Sequence, residues 1–330
     1  MTLNPGIIAL LLSSALSTLI LAYSAFFGIK VLRQWDMSSG SEAQLFMERR
    51  TYLVSTLLAY VLAFEVLALF LFIQTAERLH TLFVGAMCAA GTLYANPFGY
   101  PALGLRVALA TIAGLWLILN WLDNRAPDYP IIRAKYWVLI VMAPLALLSA
   151  LVSWFYLTGL RADVITSCCG TLFSQGSDSV RSEVALSGDA LVLIFYIAAT
   201  GLVFVIGALY HRTGRGALAF GALSALMLPV SLLALTTCIS PYIYELPTHH
   251  CPFCMLQSDY NYIGYIIYAA LLTGSVTGMG AGAAGAFGRL QSIEGGQEGP
   301  RRKLTLVSLI SFGLFTLIVI WSVASSNLRM

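Results

Sequence analysis

The chain has 330 residues, of which 59% are hydrophobic and only 10% are charged, and its formal net charge is +3. Soluble domains carry about 25% charged residues, and no stretch of this chain is basic enough to follow a phosphate backbone. The composition excludes a soluble enzyme, a disordered chain and a nucleic-acid binder, and it predicts a polytopic protein of the lipid bilayer.

Eight apolar stretches are long enough to cross a bilayer core of about 30 Å, which needs about 20 residues of helix. In chain order they are 6–30, 52–75, 102–122, 136–160, 187–210, 216–239, 254–287 and 304–325. The apolar stretch 81–93 is too short to span and runs into a turn rich in Pro and Gly, which predicts an interfacial or re-entrant helix. The sequence therefore predicts an all-α polytopic membrane helical bundle of about eight transmembrane helices plus this short one, with residues 1–330 as a single integral membrane domain.

The positive charges predict how the bundle is oriented. Thirteen of the 18 Lys and Arg residues, Lys135 among them, fall at one side of the predicted membrane, and the other five, including Arg106, fall at the opposite side. Cytoplasmic loops carry the excess of Lys and Arg. We therefore expect both termini to be extracytoplasmic, in what would be the inner (plasma) membrane of a bacterium.

On this topology the cysteines share one side of the membrane. All six lie on its outer side or at its edge: Cys88, Cys168, Cys169, Cys238, Cys251 and Cys254. Disulfides persist outside the cytoplasm, so the compartment permits thiol redox chemistry.

The most specific motif is a Cys-x-x-Cys pair, Cys251 and Cys254, directly after two histidines. If the predicted span 254–287 begins here, Cys251 lies at a helix N-terminus, where the helix dipole stabilises a thiolate and lowers the cysteine pKa. Cys251 is then the attacking sulfur and Cys254 the resolving one. Glu65 lies in the middle of the second span, and Asp259 follows the cysteine pair in the sequence. We expect Glu65 or Asp259 to accept and release the protons of the reaction.

This motif resembles the redox motif of the vitamin K epoxide reductase and bacterial disulfide-bond-formation membrane oxidoreductases. The resemblance implies thiol–disulfide electron transfer with a quinone as acceptor. It also implies a second cysteine pair in an outer loop, which relays electrons to an extracytoplasmic partner. Cys168 and Cys169, or Cys238 with Cys88, could stand in that place.

Two other interpretations of these residues stay open. One is a metal-handling accessory protein or transporter, because Cys, His and Met side chains form a soft donor set suited to Cu(I) or Zn(II). Its expected ligands are His249, His250, Cys251, Cys254 and Met255. The other is a membrane-anchor subunit of a larger complex, in which structural disulfides join the outer loops.

Two further features of the spans have alternative explanations. Glu65 is either a proton relay, ion or quinone contact, or a neutral carboxyl that is hydrogen-bonded to another helix. Gly274, Gly278 and Gly282 lie on one face of the seventh span and allow close approach of another helix. That helix belongs either to this chain or to a second membrane subunit.

Overall fold

The computed structural model describes residues 4–36, 41–125, 129–161, 164–166, 189–287 and 298–328. In chain order its α-helices are α1 Pro5–Gln34, α2 Glu42–Leu79, α3 Ala89–Tyr94, α4 Gly99–Asp123, α5 Ile132–Thr158, α6 Asp189–Thr213, α7 Ala217–Ala234, α8 Ser240–Tyr244, α9 Ile263–Phe287 and α10 Glu298–Ser325. A π-helical turn, Leu235–Ile239, joins α7 to α8, so that Ala217–Tyr244 is one membrane-length helix. With eight helices long and apolar enough to cross a membrane and no strand in the described ranges, the predicted all-α membrane bundle is confirmed.

Two segments of the structure differ in detail from what the sequence predicts. The stretch 81–93 overlaps a 3₁₀ turn, His80–Leu82, that extends α2, and then the six-residue helix α3, which is buried over its first five residues. The expectation that the seventh span begins at residue 254 is wrong, because α9 begins only at Ile263. Asn261 and Tyr262 have φ angles of 52° and 55°, a left-handed conformation that cannot continue a right-handed helix.

Two cations that the sequence placed at the membrane sides are buried within helices. Arg106, in α4, donates from Nε to the Ser153 hydroxyl at 3.1 Å. Lys135, in α5, donates from Nζ to the Asp123 carboxylate at 2.8 Å and to the Asn120 side chain at 3.1 Å. Buried charges are costly unless they are paired. Lys135 is paired with the Asp123 carboxylate, whereas Arg106 has a neutral hydroxyl as partner and faces the charge of Glu65. The side of the membrane expected for each cation, and the orientation of the bundle, stay predictions.

The contacts divide the chain into two compact units. The first comprises Met1–Ala76, Ala95–Ala162 and Phe287–Gly296, and the second comprises Glu77–Tyr94, Asp163–Ala286 and Gln297–Met330. In the first unit α1, α4 and α5 share an apolar core around Trp116, Tyr136 and Leu139.

In the second unit the glycine face of α9 packs against the chain's own helices. A Cβ on Gly278 would overlap the Ser224 side chain of α7, and one on Gly274 would lie 3.0 Å from the Phe312 ring of α10. Gly282 approaches the backbone of α7 in the same way. The glycines therefore allow close packing within the chain, which is one of the two explanations that the sequence left open.

Candidate functional site

Three cysteine sulfurs meet in the second unit. Cys251 and Cys254 lie in the connection between α8 and α9, and Cys88 lies one residue before α3. The three Sγ atoms all lie within 4.8 Å of one another, and those of Cys88 and Cys251 are 3.4 Å apart. The exposed fractions of the three residues are 0%, 1% and 5% in chain order. Two distant segments therefore build one buried thiol cluster.

The Cys-x-x-Cys segment forms a tight turn instead of a helix N-terminus. The Leu256 N–H donates to the Phe253 carbonyl at 2.9 Å, and the Gln257 N–H donates to the Cys254 carbonyl at 3.1 Å. Pro252, inside the turn, has no N–H to leave unpaired. The backbone N–H groups of Phe253 and Cys254 point back at the Cys251 sulfur. These two amides do what the helix dipole was expected to do, since both stabilise a thiolate at Cys251.

Cys251 and Cys254 differ in how readily their thiols lose a proton. Hydrogen bonds from the Cys254 and Cys88 thiols, together with the two backbone amides, hold the pKa of Cys251 well below its ordinary value despite its burial. The pKa of Cys254 is raised, because its proton is shared with its two sulfur neighbours and because burial disfavours its charge. The predicted thiolate at Cys251 thus fits this arrangement, although its cause is the turn and the neighbouring thiols.

An imidazole lies at the edge of the cluster, beside Cys254. His249 Nε2 lies 3.3 Å from Cys254 Sγ, and its ring packs edge-on against Tyr244 with centroids 4.6 Å apart. Burial lowers the pKa of His249, so the side chain is neutral at pH 7, which is the form that binds metals.

The other two expected metal ligands make different contacts. His250 is buried, and its Nδ1 lies 3.2 Å from the carbonyl oxygen of Thr236 in the π-helical turn. Met255 is fully buried and packs so closely on α9 that a Cβ on Gly264 would lie 2.6 Å from its Cγ. The structure therefore brings Cys251 and Cys254 together with Cys88, and it places His249 beside Cys254 and His250 beside the Thr236 carbonyl.

Two tyrosine hydroxyls hold the cysteine turn in place through hydrogen bonds to its backbone. The Tyr244 hydroxyl donates to the Cys251 carbonyl at 2.5 Å and accepts from the Met255 N–H at 3.0 Å. The Tyr268 hydroxyl donates to the Pro252 carbonyl at 2.5 Å. Because the bonds reach both ends of the turn, the spacing of the two sulfurs is set by the protein.

The remaining predicted site residues do not join the cluster. Asp259 is exposed on the 3₁₀ turn Ser258–Tyr260. Glu65 is buried in the first unit, where it contacts the Ser17 side chain and faces the charge of Arg106. Cys168 and Cys169 lie outside the described residues.

Cys88 is the member of the cluster whose partner the sequence did not indicate, because the motif resemblance suggests it only as a relay cysteine paired with Cys238. Its contact with Cys251 joins residues 163 positions apart, and no local pattern around Cys88 indicates that partner. The one available signal was its place on the same predicted side of the membrane as the other cysteines. Cys238, the fourth cysteine in the described part of the chain, lies in the π-helical turn with Sγ 3.2 Å from the Thr237 hydroxyl.

Fold and site together define an integral membrane protein with a buried cysteine–histidine cluster. Comparison of the chain with protein-family models, with curated proteins and with solved structures finds no match. The resemblance of the Cys-x-x-Cys motif to the membrane thiol oxidoreductases therefore stays a prediction.

Proposed function

We propose that the protein is a metal-handling membrane protein that binds a soft ion, Cu(I) or Zn(II), through Cys88, Cys251 and Cys254, with His249 as fourth ligand. The observation that carries the proposal is the convergence of three buried sulfurs, all within 4.8 Å of one another. Thiolate and imidazole donors favour these ions over the hard cations Mg²⁺ and Ca²⁺.

The spacing of the donors fits one metal ion. Bonds of about 2.3 Å from zinc to sulfur place two tetrahedral sulfur ligands about 3.8 Å apart. The Cys88–Cys251 distance of 3.4 Å and the outer limit of 4.8 Å lie on either side of that value. His249 Nε2, 3.3 Å from Cys254 Sγ, lies close to the separation of about 3.5 Å expected for a sulfur and a nitrogen on one ion. His249 lies beside Cys254 but outside the three-sulfur cluster, so its ring would have to move toward the other two sulfurs to complete the site.

Burial gives a second reason to expect a cation. More than one thiolate in so enclosed a place is strongly unfavourable unless a positive charge compensates it. A bound ion supplies that charge and deprotonates its thiol ligands. We expect the ion to be exchanged with an extracytoplasmic partner on the side of the membrane to which the sequence assigns the cysteines.

Metal analysis tests this function directly. The protein is purified anaerobically in detergent, loaded with Cu(I) or Zn(II) and freed of excess metal. We expect about one ion per chain, and we expect Cys88→Ser and Cys251→Ser to bind it much more weakly than the wild type does. Cys238→Ser is the matched control, because Cys238 is also a described cysteine but lies outside the cluster. A wild-type protein that cannot be loaded with either ion rejects the proposal.

A second candidate function is thiol–disulfide electron transfer, which the Cys251 thiolate favours because it faces the Cys88 sulfur at 3.4 Å. In this reaction two thiols, Cys251 with Cys88 or with Cys254, form a disulfide and release two electrons and two protons. A quinone is the proposed acceptor and becomes a quinol, and Cys168 and Cys169 are the proposed relay.

Trapping of thiols separates the two functions. Free thiols are alkylated before and after incubation with a short-chain quinone, and the products are mapped by mass spectrometry. Electron transfer requires two alkylation sites of the cluster to disappear as quinol forms. A cluster that binds metal at full occupancy and forms no disulfide with quinone supports the metal function alone.

A further inference from the structure

Glu77, near the C-terminal end of α2, joins the two segments that carry the sulfurs. Its Oε2 accepts a hydrogen bond of 2.6 Å from the N–H of Ala89, the residue after Cys88. Its Oε1 accepts one of 2.8 Å from the side-chain amide of Gln257, three residues beyond Cys254. One carboxylate thus bonds to both segments of the cluster with separate oxygens.

Gln257 adds a second connection between the same segments. Its side-chain amide also donates to the carbonyl of Met87, the residue before Cys88, at 2.6 Å. The backbone N–H of Gln257 donates to the Cys254 carbonyl, so Gln257 is also bonded to the cysteine turn. Both chain neighbours of Cys88 are therefore bonded to this Glu77–Gln257 clamp.

Cys88 depends on such a connection more than the other two sulfurs do. Cys251 and Cys254 are close in sequence and belong to one turn, which Tyr244 and Tyr268 bond directly. Cys88 is brought to them across 163 positions and lies in an irregular segment that contains Gly85, at φ 85°. A change in the clamp should therefore act on Cys88 first.

We propose that Glu77 and Gln257 are positioning residues that add Cys88 to the Cys251–Cys254 pair, and so determine that the site presents three sulfurs instead of two. The inference rests on the metal function proposed above. With the clamp intact, three thiolates and His249 enclose the ion, as in closed tetrahedral sites. With the clamp broken, Cys251, Cys254 and His249 hold the ion and one position is open to water or to a receiving ligand.

The test uses Co(II) as a probe, because the intensity of its sulfur-to-metal charge-transfer band follows the number of thiolates. Glu77→Gln leaves one acceptor oxygen, so either one bond to residue 77 is lost or the Gln257 amide turns over and loses its bond to the Met87 carbonyl. Gln257→Ala removes the bonds to Glu77 and Met87 but retains the bond from Ala89. For both variants we expect Co(II) affinity to fall about 10- to 100-fold and the band per bound ion to fall to about two thirds.

Glu245→Gln is the matched control, because this exposed glutamate of the same unit accepts hydrogen bonds of 3.0 Å from Asn327 and lies outside the cluster. It should retain wild-type affinity and band intensity. If Glu77→Gln does not fold in detergent, the band intensity and affinity of Gln257→Ala alone test the inference. A wild-type band and affinity in Gln257→Ala would overturn the inference, and so would an equal loss in Glu245→Gln.

A readout without metal keeps the two proposals separable. The apo protein is treated with a mild thiol oxidant, and its disulfides are mapped by mass spectrometry. The wild type should yield a Cys88–Cys251 disulfide beside Cys251–Cys254, whereas both clamp variants should yield mainly Cys251–Cys254. If the wild type binds no metal but its disulfides differ from those of the clamp variants as expected, the metal function is rejected and the positioning role of Glu77 and Gln257 is supported. If the variants give the wild-type disulfides, the clamp fails.

Discussion

Replacement of Tyr244 by Phe removes one hydroxyl that holds the cysteine turn at two points. The Cys251 carbonyl loses a donor at 2.5 Å, and the Met255 N–H loses an acceptor at 3.0 Å. Both groups are buried, and leaving a buried backbone group without its partner costs about 1–3 kcal/mol. Since phenylalanine retains the ring and its contacts, we expect Tyr244→Phe to reduce the free energy of unfolding by about 2–6 kcal/mol in total.

Unfolding of the apo protein in detergent, followed by circular dichroism, measures this change. A Co(II) titration of the folded variant should in addition show an affinity about 10- to 100-fold lower, as for other groups that orient metal ligands. Tyr260→Phe is the control, because this half-buried ring packs on Tyr244 with centroids 4.8 Å apart. The reasoning is refuted if Tyr244→Phe unfolds within about 0.5 kcal/mol of this control and binds Co(II) equally well.

Three further predictions concern packing, buried charge and pH. Gly278→Ala should destabilise the fold, because its Cβ would overlap the Ser224 side chain. Gly104→Ala should be neutral or stabilising, because a Cβ there meets nothing within 4 Å. Thermal unfolding of both variants in detergent tests this prediction. Lys135→Met should cost about 3–5 kcal/mol by leaving Asp123 buried and unpaired, and addition of Asp123→Asn should restore most of that loss in the same assay. Metal affinity should rise about tenfold per pH unit for each proton released, because Cys254, whose pKa is raised, must be deprotonated before it binds. A Zn(II) affinity that does not change between acidic and neutral pH would contradict the last prediction.

The membrane bundle could be predicted from the sequence, because span length and hydropathy are local properties. Every predicted span overlaps a membrane-length helix. The start of the seventh span could not be predicted, since left-handed φ angles at Asn261 and Tyr262 end the irregular segment. Asn261 is a residue that adopts this conformation more readily than most, but Tyr262 is not, so the local sequence gives only a weak signal of the break.

The candidate site was predictable only in its local part. The Cys251–Cys254 pair and His249 are close in sequence and remain close in space. Cys88, by contrast, joins them through the Glu77–Gln257 clamp, whose two members are 180 positions apart. Such a contact follows from tertiary packing and leaves no pattern in a single sequence.

The central claim is that Cys88, Cys251 and Cys254 bind one soft metal ion together. X-ray absorption at the metal edge of the anaerobically loaded protein counts the sulfur ligands directly. The account predicts about three sulfurs around one ion in the wild type and in Cys238→Ser, and about two in Cys88→Ser. A loaded wild-type protein with only oxygen and nitrogen ligands, or the same sulfur count in Cys88→Ser as in the wild type, would contradict it.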